Sequence, residues 1–246
     1  MHYGNSFVHR LIVPDADFFA IDGTVLQHSN GRNLYFIWSG WSVLNDIPGP
    51  SSDYRQVLYM APMSDPMTIS GRRILLREPD YTWEWHPYWG RINEGPEILK
   101  YAGRTFVAFS AASTWTPDYC ISALVIDDNR DPMIPENWKL VQDGCMMYRN
   151  DEQGVWAPGH ASFVNSPGML HTWISNIHFF RSNWELLVVA IDGKESWIIY
   201  HAISDINDPG NNRTARAEKF VWNSDNTPLL PRPAGFGVAL ETPSGQ

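Results

Sequence analysis

The chain has 246 residues, of which 43% are hydrophobic, so it is long and apolar enough to fold around a substantial core. Its formal net charge is -9 and its Lys and Arg residues form no cluster, which argues against a nucleic-acid or anionic-membrane surface. No run of 18 apolar residues occurs, and the residues after Met1 lack the pattern of a signal peptide. We expect no nucleic-acid partner and no membrane partner. The sequence leaves the cellular location open, and an extracellular location of the intact protein is one of the alternatives.

The predicted elements are strands along the whole chain. In chain order they are GTVLQH, NLYFIWSG, QVLYMA, RILLRE, EILKYA, RTFVAFSA, ISALVID, SWIIYHA and EKFVWN, each bounded by Gly, Pro, Asn or Asp. Short helices are expected near DPMIPENW and INDPGNN, but no helical period lasts a dozen residues. The sequence therefore predicts an all-β chain.

Three of these strands form an internal repeat of aromatic, two apolar, aromatic, Ser or His, and a small residue. The copies are YFIWSG from Tyr35, FVAFSA from Phe106 and WIIYHA from Trp197. Asp22 lies 13 residues before the first copy and Glu94 lies 12 before the second. The repeat therefore predicts a polar residue at one position of successive units.

The third copy fits only with an insertion. His160, in APGH, lies 37 residues before Trp197, so about two dozen residues at roughly 169–192 are in excess where a tight turn is expected. We interpret this segment as an elaborated loop or a gene-model error. It is expected to contribute no inner-blade strand.

A strand-rich period of about 70 residues favours the β-propeller, in which four-stranded blades surround an axis. The inner strands converge, so Asp22, Glu94 and His160 are expected to share a central cavity. Propellers usually close with four to eight blades. The sequence therefore predicts residues 1–246 to be a single partial propeller domain of about three blades.

Each candidate residue also has an ordinary structural interpretation. Asp22 before Gly23 is typical of a tight turn, Glu94 before Gly-Pro of a surface loop, and a lone His such as His160 of a hydrogen-bonded structural residue. The aromatic residues of the strands are expected to form the core before any role in sugar binding. Trp41 and Trp115 stand where strands leave that core, which favours them as sugar-binding platforms.

Other classes of site lack a starting motif. The sequence has no G-x-S-x-G, P-loop, H-E-x-x-H or paired C-x-x-C. Cys120 and Cys145, the two cysteines, are too few for a disulfide framework and lack metal-ligand spacing, and one bridge between them stays open.

The motifs IDGT, YFIWSGW, INEGPEIL, APGHASF, WIIYHA and RTARAEKFVW occur in the order found in glycoside hydrolase family 43. The chain resembles the arabinofuranosidase and xylosidase-like members, which are five-bladed propellers that invert anomeric configuration. The resemblance runs from about residue 17 to about residue 232, with a break near 169–192.

The resemblance implies a role for each matching residue. It makes Glu94 the general acid and Asp22 the residue that tunes and orients it, with Arg216 reaching the sugar pocket. His160 would approach the axis, in some relatives beside calcium or another ion, although APGH here replaces GPGH. No cofactor is required, and the partner is a carbohydrate substrate.

The resemblance also leaves one part unmatched. The family's general base is an Asp on an earlier blade, and only Asp15 and Asp17 precede Asp22 closely. We therefore expect the chain to be a fragment with little activity of its own. The alternative is a non-catalytic carbohydrate-binding or degenerate propeller.

Overall fold

The computed structural model describes residues 19–28, 32–42, 54–166, 195–208 and 212–243. These residues form strands joined by turns and three short 3-10 helices, which confirms the all-β prediction. In chain order the strands are β1 (Ala20–His28), β2 (Asn33–Trp41), β3 (Arg55–Asp65), β4 (Thr68–Ile69), β5 (Ile74–Arg77), β6 (Trp85–His86), β7 (Gly90–Tyr101), β8 (Arg104–Ala111), β9 (Cys120–Asp127), β10 (Lys139–Leu140), β11 (Trp156–Ser166), β12 (Glu195–Ile203), β13 (Arg213–Trp222) and β14 (Pro228–Leu229). The 3-10 helices are Thr82–Glu84, Pro135–Asn137 and Asp151–Gln153, the second of which lies in the predicted DPMIPENW stretch.

The strands pair as three antiparallel blades. Blade 1 is β1-β2-β3-β5, blade 2 is β7-β8-β9-β10 and blade 3 is β11-β12-β13-β14. A short parallel pairing between β3 and β7, at Arg55 with Arg91 and Gln56 with Ile92, joins the first two blades. The three predicted repeat units are therefore three blades.

The repeated aromatic residues lie in the core, as predicted. Tyr35, Phe106 and Trp197 are all buried. One apolar cluster joins blades 1 and 2, including Leu58 and Phe109, and a second joins blades 2 and 3. Stacked blades thus fix the distance between neighbouring inner strands.

Each inner strand contains a bulge at the same place. The pairing skips two residues between Ile21 and Thr24, between Glu94 and Glu97, and between Gly159 and Ser162. The first residue in each bulge has positive φ, 56° at Asp22, 58° at Gly95 and 52° at His160. A bulge of this kind twists the strand and re-aims its side chains.

The register corrects one prediction from the repeat. Asp22 and His160 are equivalent, but their counterpart in blade 2 is Gly95, and Glu94 lies one residue earlier. Sequence spacing hid this shift because the hairpins differ in length, the last pair being His28 with Asn33 in blade 1 and Tyr101 with Arg104 in blade 2.

The suspected insertion at about 169–192 lies outside the described residues. On either side of it, β11 and β12 pair as the interrupted hairpin predicts, with Phe163 opposite Ile198 and Ser166 opposite Glu195. The assignment of residues 1–246 to one partial propeller domain stays a prediction.

Cys120 and Cys145 form a disulfide, the alternative that the sequence left open. The bridge ties the start of β9 to the segment that leads towards blade 3. Among the described residues, no helix is long and apolar enough to cross a membrane.

Candidate active site

Asp22, Glu94 and His160 meet where the three inner strands approach each other. The Asp22 Oδ2 accepts a hydrogen bond of 3.0 Å from the Gly95 backbone N–H, next to Glu94. The His160 Nε2 lies 4.0 Å from the Asp22 Oδ1, and a Cβ at Gly95 would lie 3.4 Å from the His160 ring. The turn and surface-loop interpretations of Asp22 and Glu94 are wrong, because both residues lie within strands that face this shared space.

Glu94 is held by two hydrogen bonds from different directions. The Tyr119 hydroxyl donates to its Oε1 at 2.7 Å, and the Gln56 Nε2 donates to its Oε2 at 3.0 Å. Because burial disfavours the charged form, the pKa of Glu94 lies above its ordinary value, and the negative charge of Asp22 raises it further. The hydrogen bonds from Tyr119 and Gln56 act in the opposite direction. The balance favours a carboxyl that can hold a proton.

The Ser of the repeat explains how neighbouring blades fix this arrangement. The Ser39 Oγ of blade 1 donates to the Asn93 carbonyl of blade 2 at 2.8 Å. The Ser110 Oγ of blade 2 accepts from the His160 backbone N–H of blade 3 at 2.7 Å. Each Ser therefore binds the bulge region of the next inner strand, and the repeated motif sets the position of the site residues.

Tyr119 connects the acid to blade 3. Its ring is fully buried and lies parallel to the His201 ring, with centroids 5.8 Å apart. A Cβ at Gly159 would lie 1.8 Å from the Tyr119 ring, so only Gly permits this packing. Burial and the nearby Glu94 raise the pKa of Tyr119 well above 10.0, which keeps its hydroxyl protonated as a donor. Burial lowers the pKa of His201 to about 4, so that ring is neutral near pH 7.

A cavity of about 230 Å³ opens beside Glu94. Trp41 and Trp115, the two predicted platform residues, both line it. Trp115 is 47% exposed and stacks on Trp89 with ring centroids 6.0 Å apart. The other lining residues, which the sequence analysis missed, are Tyr54, Gln56, Trp89, Ile92, Ser113 and Thr114.

The missed residues share a recognisable position. Trp89 and Ile92 lie at the start of the inner strand, Tyr54 and Gln56 at the start of β3, and Thr114 follows the repeat strand. All lie where strands begin or end at the same rim as Glu94. A search restricted to the inner strands therefore could not have found most of them.

The structure places Arg216 away from this cavity. Its guanidinium donates to the Ala234 carbonyl at 2.7 Å and to the Ser204 Oγ at 2.8 Å, and Arg216 does not line this cavity, so its contact with a sugar stays a prediction. Arg213, three residues earlier, donates instead to the Thr114 carbonyl and lies 5.8 Å from the Trp115 ring centroid. The motif's first Arg is thus the one beside the cavity.

A calcium or other ion near His160 also stays a prediction. In the described ranges, no group of three or more His, Cys, Asp or Glu side chains could hold a metal. Asp22 and His160 are only two side chains that could bind a metal ion, and Asp22 already accepts a hydrogen bond from the Gly95 N–H. Ca²⁺ takes six to eight oxygen ligands. These residues by themselves do not fit a calcium site.

Comparison with known proteins gives a consistent result. Residues 5–185 match the model of glycosyl hydrolases family 43. An extracellular exo-α-(1→5)-L-arabinofuranosidase of Streptomyces avermitilis is 28% identical, covering 89% of this chain and 39% of its own length. α-L-arabinofuranosidase 43 of Humicola insolens is 29% identical with the same coverage. The crystal structure of the Lactobacillus brevis α-L-arabinofuranosidase superposes with a TM-score of 0.72 at 26% identity, covering 94% of this chain and 61% of that one.

Fold and comparisons together define an incomplete β-propeller. The chain belongs to glycosyl hydrolase family 43. It spans about two fifths of the length of the curated relatives, and its described residues form three blades of the family's five-bladed propeller.

Proposed function

We propose that this chain carries the general-acid part of an inverting glycoside hydrolase that acts on arabinose- or xylose-containing oligosaccharides and polysaccharides. The carrying observation is Glu94, a carboxyl with a raised pKa held by Tyr119 and Gln56 at a cavity walled by tryptophans. A carboxyl that keeps its proton near the working pH is what a general acid requires.

The proposed mechanism begins at the glycosidic oxygen. Glu94 transfers its proton to the leaving-group oxygen as the bond to the anomeric carbon breaks, and Asp22 keeps that proton on Glu94 beforehand. Tyr119 and Gln56 then stabilise the carboxylate that forms. A second carboxylate about 6.5–9.5 Å away must deprotonate the attacking water. Among the described residues that line the cavity, Glu94 is the one carboxylate, so we assign the base to a part outside them.

The relatives favour arabinofuranosides as substrates. The Streptomyces avermitilis and Humicola insolens relatives are named arabinofuranosidases, and the Lactobacillus brevis structure is that of an α-L-arabinofuranosidase. We propose release of arabinofuranosyl residues, with xylosyl residues as the second candidate. We propose an extracellular location for two reasons. The Streptomyces avermitilis relative is named an extracellular enzyme, and the Cys120–Cys145 bridge is of a kind that persists in oxidising compartments.

Hydrolysis of two kinds of arabinofuranoside tests the acid assignment. Because the described residues supply only the acid, we expect the chain alone to have little activity, and fusion to an upstream two-blade segment from a family relative to raise it. In that active form, Glu94→Gln should slow cleavage of arabino-oligosaccharides about 10²- to 10⁴-fold. The same substitution should slow cleavage of a dinitrophenyl arabinofuranoside much less, because the dinitrophenolate leaving group needs no proton.

The outcome also separates the competing class. A non-catalytic binding propeller would bind the oligosaccharide and remain inactive in both forms. Rapid turnover by the chain alone that is insensitive to Glu94→Gln would contradict the acid assignment.

A further inference from the structure

A second cleft of about 310 Å³ lies on the same rim of blade 2 as Glu94. Its walls include Trp83 and Trp85 from the segment before β7, and Tyr148 from the segment before β11. These segments and the β8–β9 turn all lie at the end of blade 2 where Glu94 pairs with Ser110, near the end of β8. The cleft therefore opens on the face that carries the candidate active site.

The two cavities share their walls. Ala112 and Thr116 line the second cleft, whereas Ser113, Thr114 and Trp115 between them line the first. His86 lines the second cleft, and its Nδ1 accepts hydrogen bonds from the Tyr88 and Trp89 backbone N–H groups at 3.2 and 3.3 Å. One turn thus places Trp89 in the first cavity and His86 in the second, so the two cavities are neighbours.

The chemistry of the cleft suits a neutral sugar. Trp85 is 41% exposed and Tyr148 is 48% exposed, and flat rings of this kind stack on the apolar faces of sugars. Asp118 and Arg149 also line the cleft, with the Arg149 Nη1 2.8 Å from the Asp118 Oδ1. This pair offers acceptors and donors to hydroxyl groups beside the rings, and the Arg149 Nε also binds Asp151 at 3.0 Å.

The walls are held in place before any ligand binds. The Cys120–Cys145 disulfide joins the Asp118 side of the cleft to the Tyr148 side. Next to it, the Ile121 N–H donates to the Met147 carbonyl at 2.9 Å. Rigid walls reduce the entropy lost on binding, so a shallow cleft can still contribute affinity.

We propose that this cleft is a distal subsite for a pentose oligosaccharide whose terminal residue occupies the cavity at Glu94. The proposal rests on the proposed function and extends it, because it makes the preferred substrate an oligosaccharide or polysaccharide rather than a small glycoside. Trp85 and Tyr148 supply the stacking surface of this subsite, and the Trp89–Trp115 pair supplies that of the first cavity.

Calorimetric titration of the Glu94→Gln chain with arabino-oligosaccharides of two to six residues tests this proposal. We expect affinity to rise with length, and Trp85→Ala and Tyr148→Ala each to weaken binding of the hexasaccharide about 5- to 20-fold while leaving the disaccharide unchanged. Phe236→Ala is the matched control, because Phe236 is an aromatic residue with 84% exposure that lines neither cavity. Near-UV circular dichroism checks that each variant is folded.

The outcomes distinguish the two proposals. If the disaccharide binds but length and both substitutions have no effect, the distal subsite is refuted and the proposed function stands. If no oligosaccharide of any length binds, the distal subsite is refuted, and the proposed function is decided by hydrolysis in the active form. Equal weakening of disaccharide and hexasaccharide would place Trp85 and Tyr148 in the first cavity and would also overturn the subsite.

Discussion

At the scale of single residues, the site depends on opposing influences on one carboxyl. Burial and the charge of Asp22 raise the pKa of Glu94, whereas Tyr119 and Gln56 donate hydrogen bonds that favour its ionised form. A general acid needs both effects, because it must hold a proton before the reaction and tolerate the charge afterwards. Asp22 reaches this position because its bulge has a positive φ, which Asp adopts more readily than most residues.

The raised pKa of Glu94 makes a prediction about folding stability. A carboxyl whose folded pKa exceeds its unfolded pKa binds more protons when the chain is folded. Its contribution to folding stability is therefore present at low pH and is lost as pH rises through the folded pKa. Glu94→Gln removes that loss. We expect the variant to melt above the parent chain at pH 8 and the difference to shrink towards pH 4, as measured by thermal unfolding across that range.

The direction of this effect identifies its cause. Glu78→Gln is a suitable control, because Glu78 forms a partly exposed ion pair with Arg55 away from the cavity. It should show no comparable gain at pH 8. A Glu94→Gln variant that melts below the parent at pH 8 would mean that the charged form of Glu94 stabilises the fold.

At the scale of elements, the packing around the inner strand of blade 2 positions the acid. Glu84, at the end of a 3-10 helix, is fully buried and accepts hydrogen bonds from Arg77 at 2.7 Å and from Asn93 at 3.0 Å. It also accepts from the Tyr81 backbone N–H at 2.9 Å. Glu84 therefore ties β5 and the entry segment to the residue before Glu94.

Removing the Glu84 charge should be costly. Glu84→Gln leaves the Arg77 guanidinium buried without a counter-charge, which typically costs about 3–5 kcal/mol. Glu78→Gln removes a partly exposed charge pair, for which about 0–1 kcal/mol is usual. Urea unfolding of the two variants measures the difference. Equal losses would contradict a structural role for the Glu84 network.

The contact between blades 2 and 3 depends on Gly159. Gly159→Ala would place a Cβ 1.8 Å from the Tyr119 ring, so the ring or β11 must move, at a cost of about 1–3 kcal/mol or more. Because Tyr119 donates to Glu94, hydrolysis in the active form should also fall.

Gly103→Ala serves as the control for this substitution. Gly103 has positive φ but open space around its Cα, so only backbone strain of about 1–2 kcal/mol is expected, with no effect on catalysis. Unchanged activity in Gly159→Ala would contradict a contribution of Tyr119 to the action of Glu94.

At the scale of the whole molecule, the strand pattern and the repeat were sufficient to predict an all-β chain of three blades. Period-2 alternation and turn residues determine where strands form, and the repeat shows that they form equivalent units. The same reasoning named Asp22 and Glu94, which the structure brings together, and Trp41 and Trp115, which line one cavity. It misplaced the register by one residue, because hairpin length is set by turn geometry that spacing alone does not report.

Other parts of the site could not be predicted because they depend on contacts between blades. Gln56 reaches Glu94 from blade 1, and the Tyr119 ring reaches across to Gly159 of blade 3, neither of which has a local sequence signal. Arg213 and Arg216 share one strand and one motif. What distinguishes them in the structure is that Arg213 lies beside the Trp115 ring.

The disulfide provides a prediction for the molecule as a whole. Replacing Cys120 and Cys145 together by Ala should destabilise the chain by about 2–4 kcal/mol, since the bridge closes a loop with a sequence separation of 25. For a chain of this size we expect the melting temperature to fall by roughly 5–15 °C. If the subsite is built as proposed, hexasaccharide affinity should fall while disaccharide affinity is retained, and loss of both would contradict that local effect.

The central claim is that burial and Asp22 raise the pKa of Glu94, against the hydrogen bond from Tyr119. The most direct measurement is a carbon-13 NMR titration of the Glu94 carboxyl in the parent chain and in Asp22→Asn and Tyr119→Phe. We expect the parent pKa to lie above the ordinary value of 4.5, to fall in Asp22→Asn and to rise in Tyr119→Phe. A Glu94 that titrates at or below 4.5 and does not respond to Asp22→Asn would contradict the account.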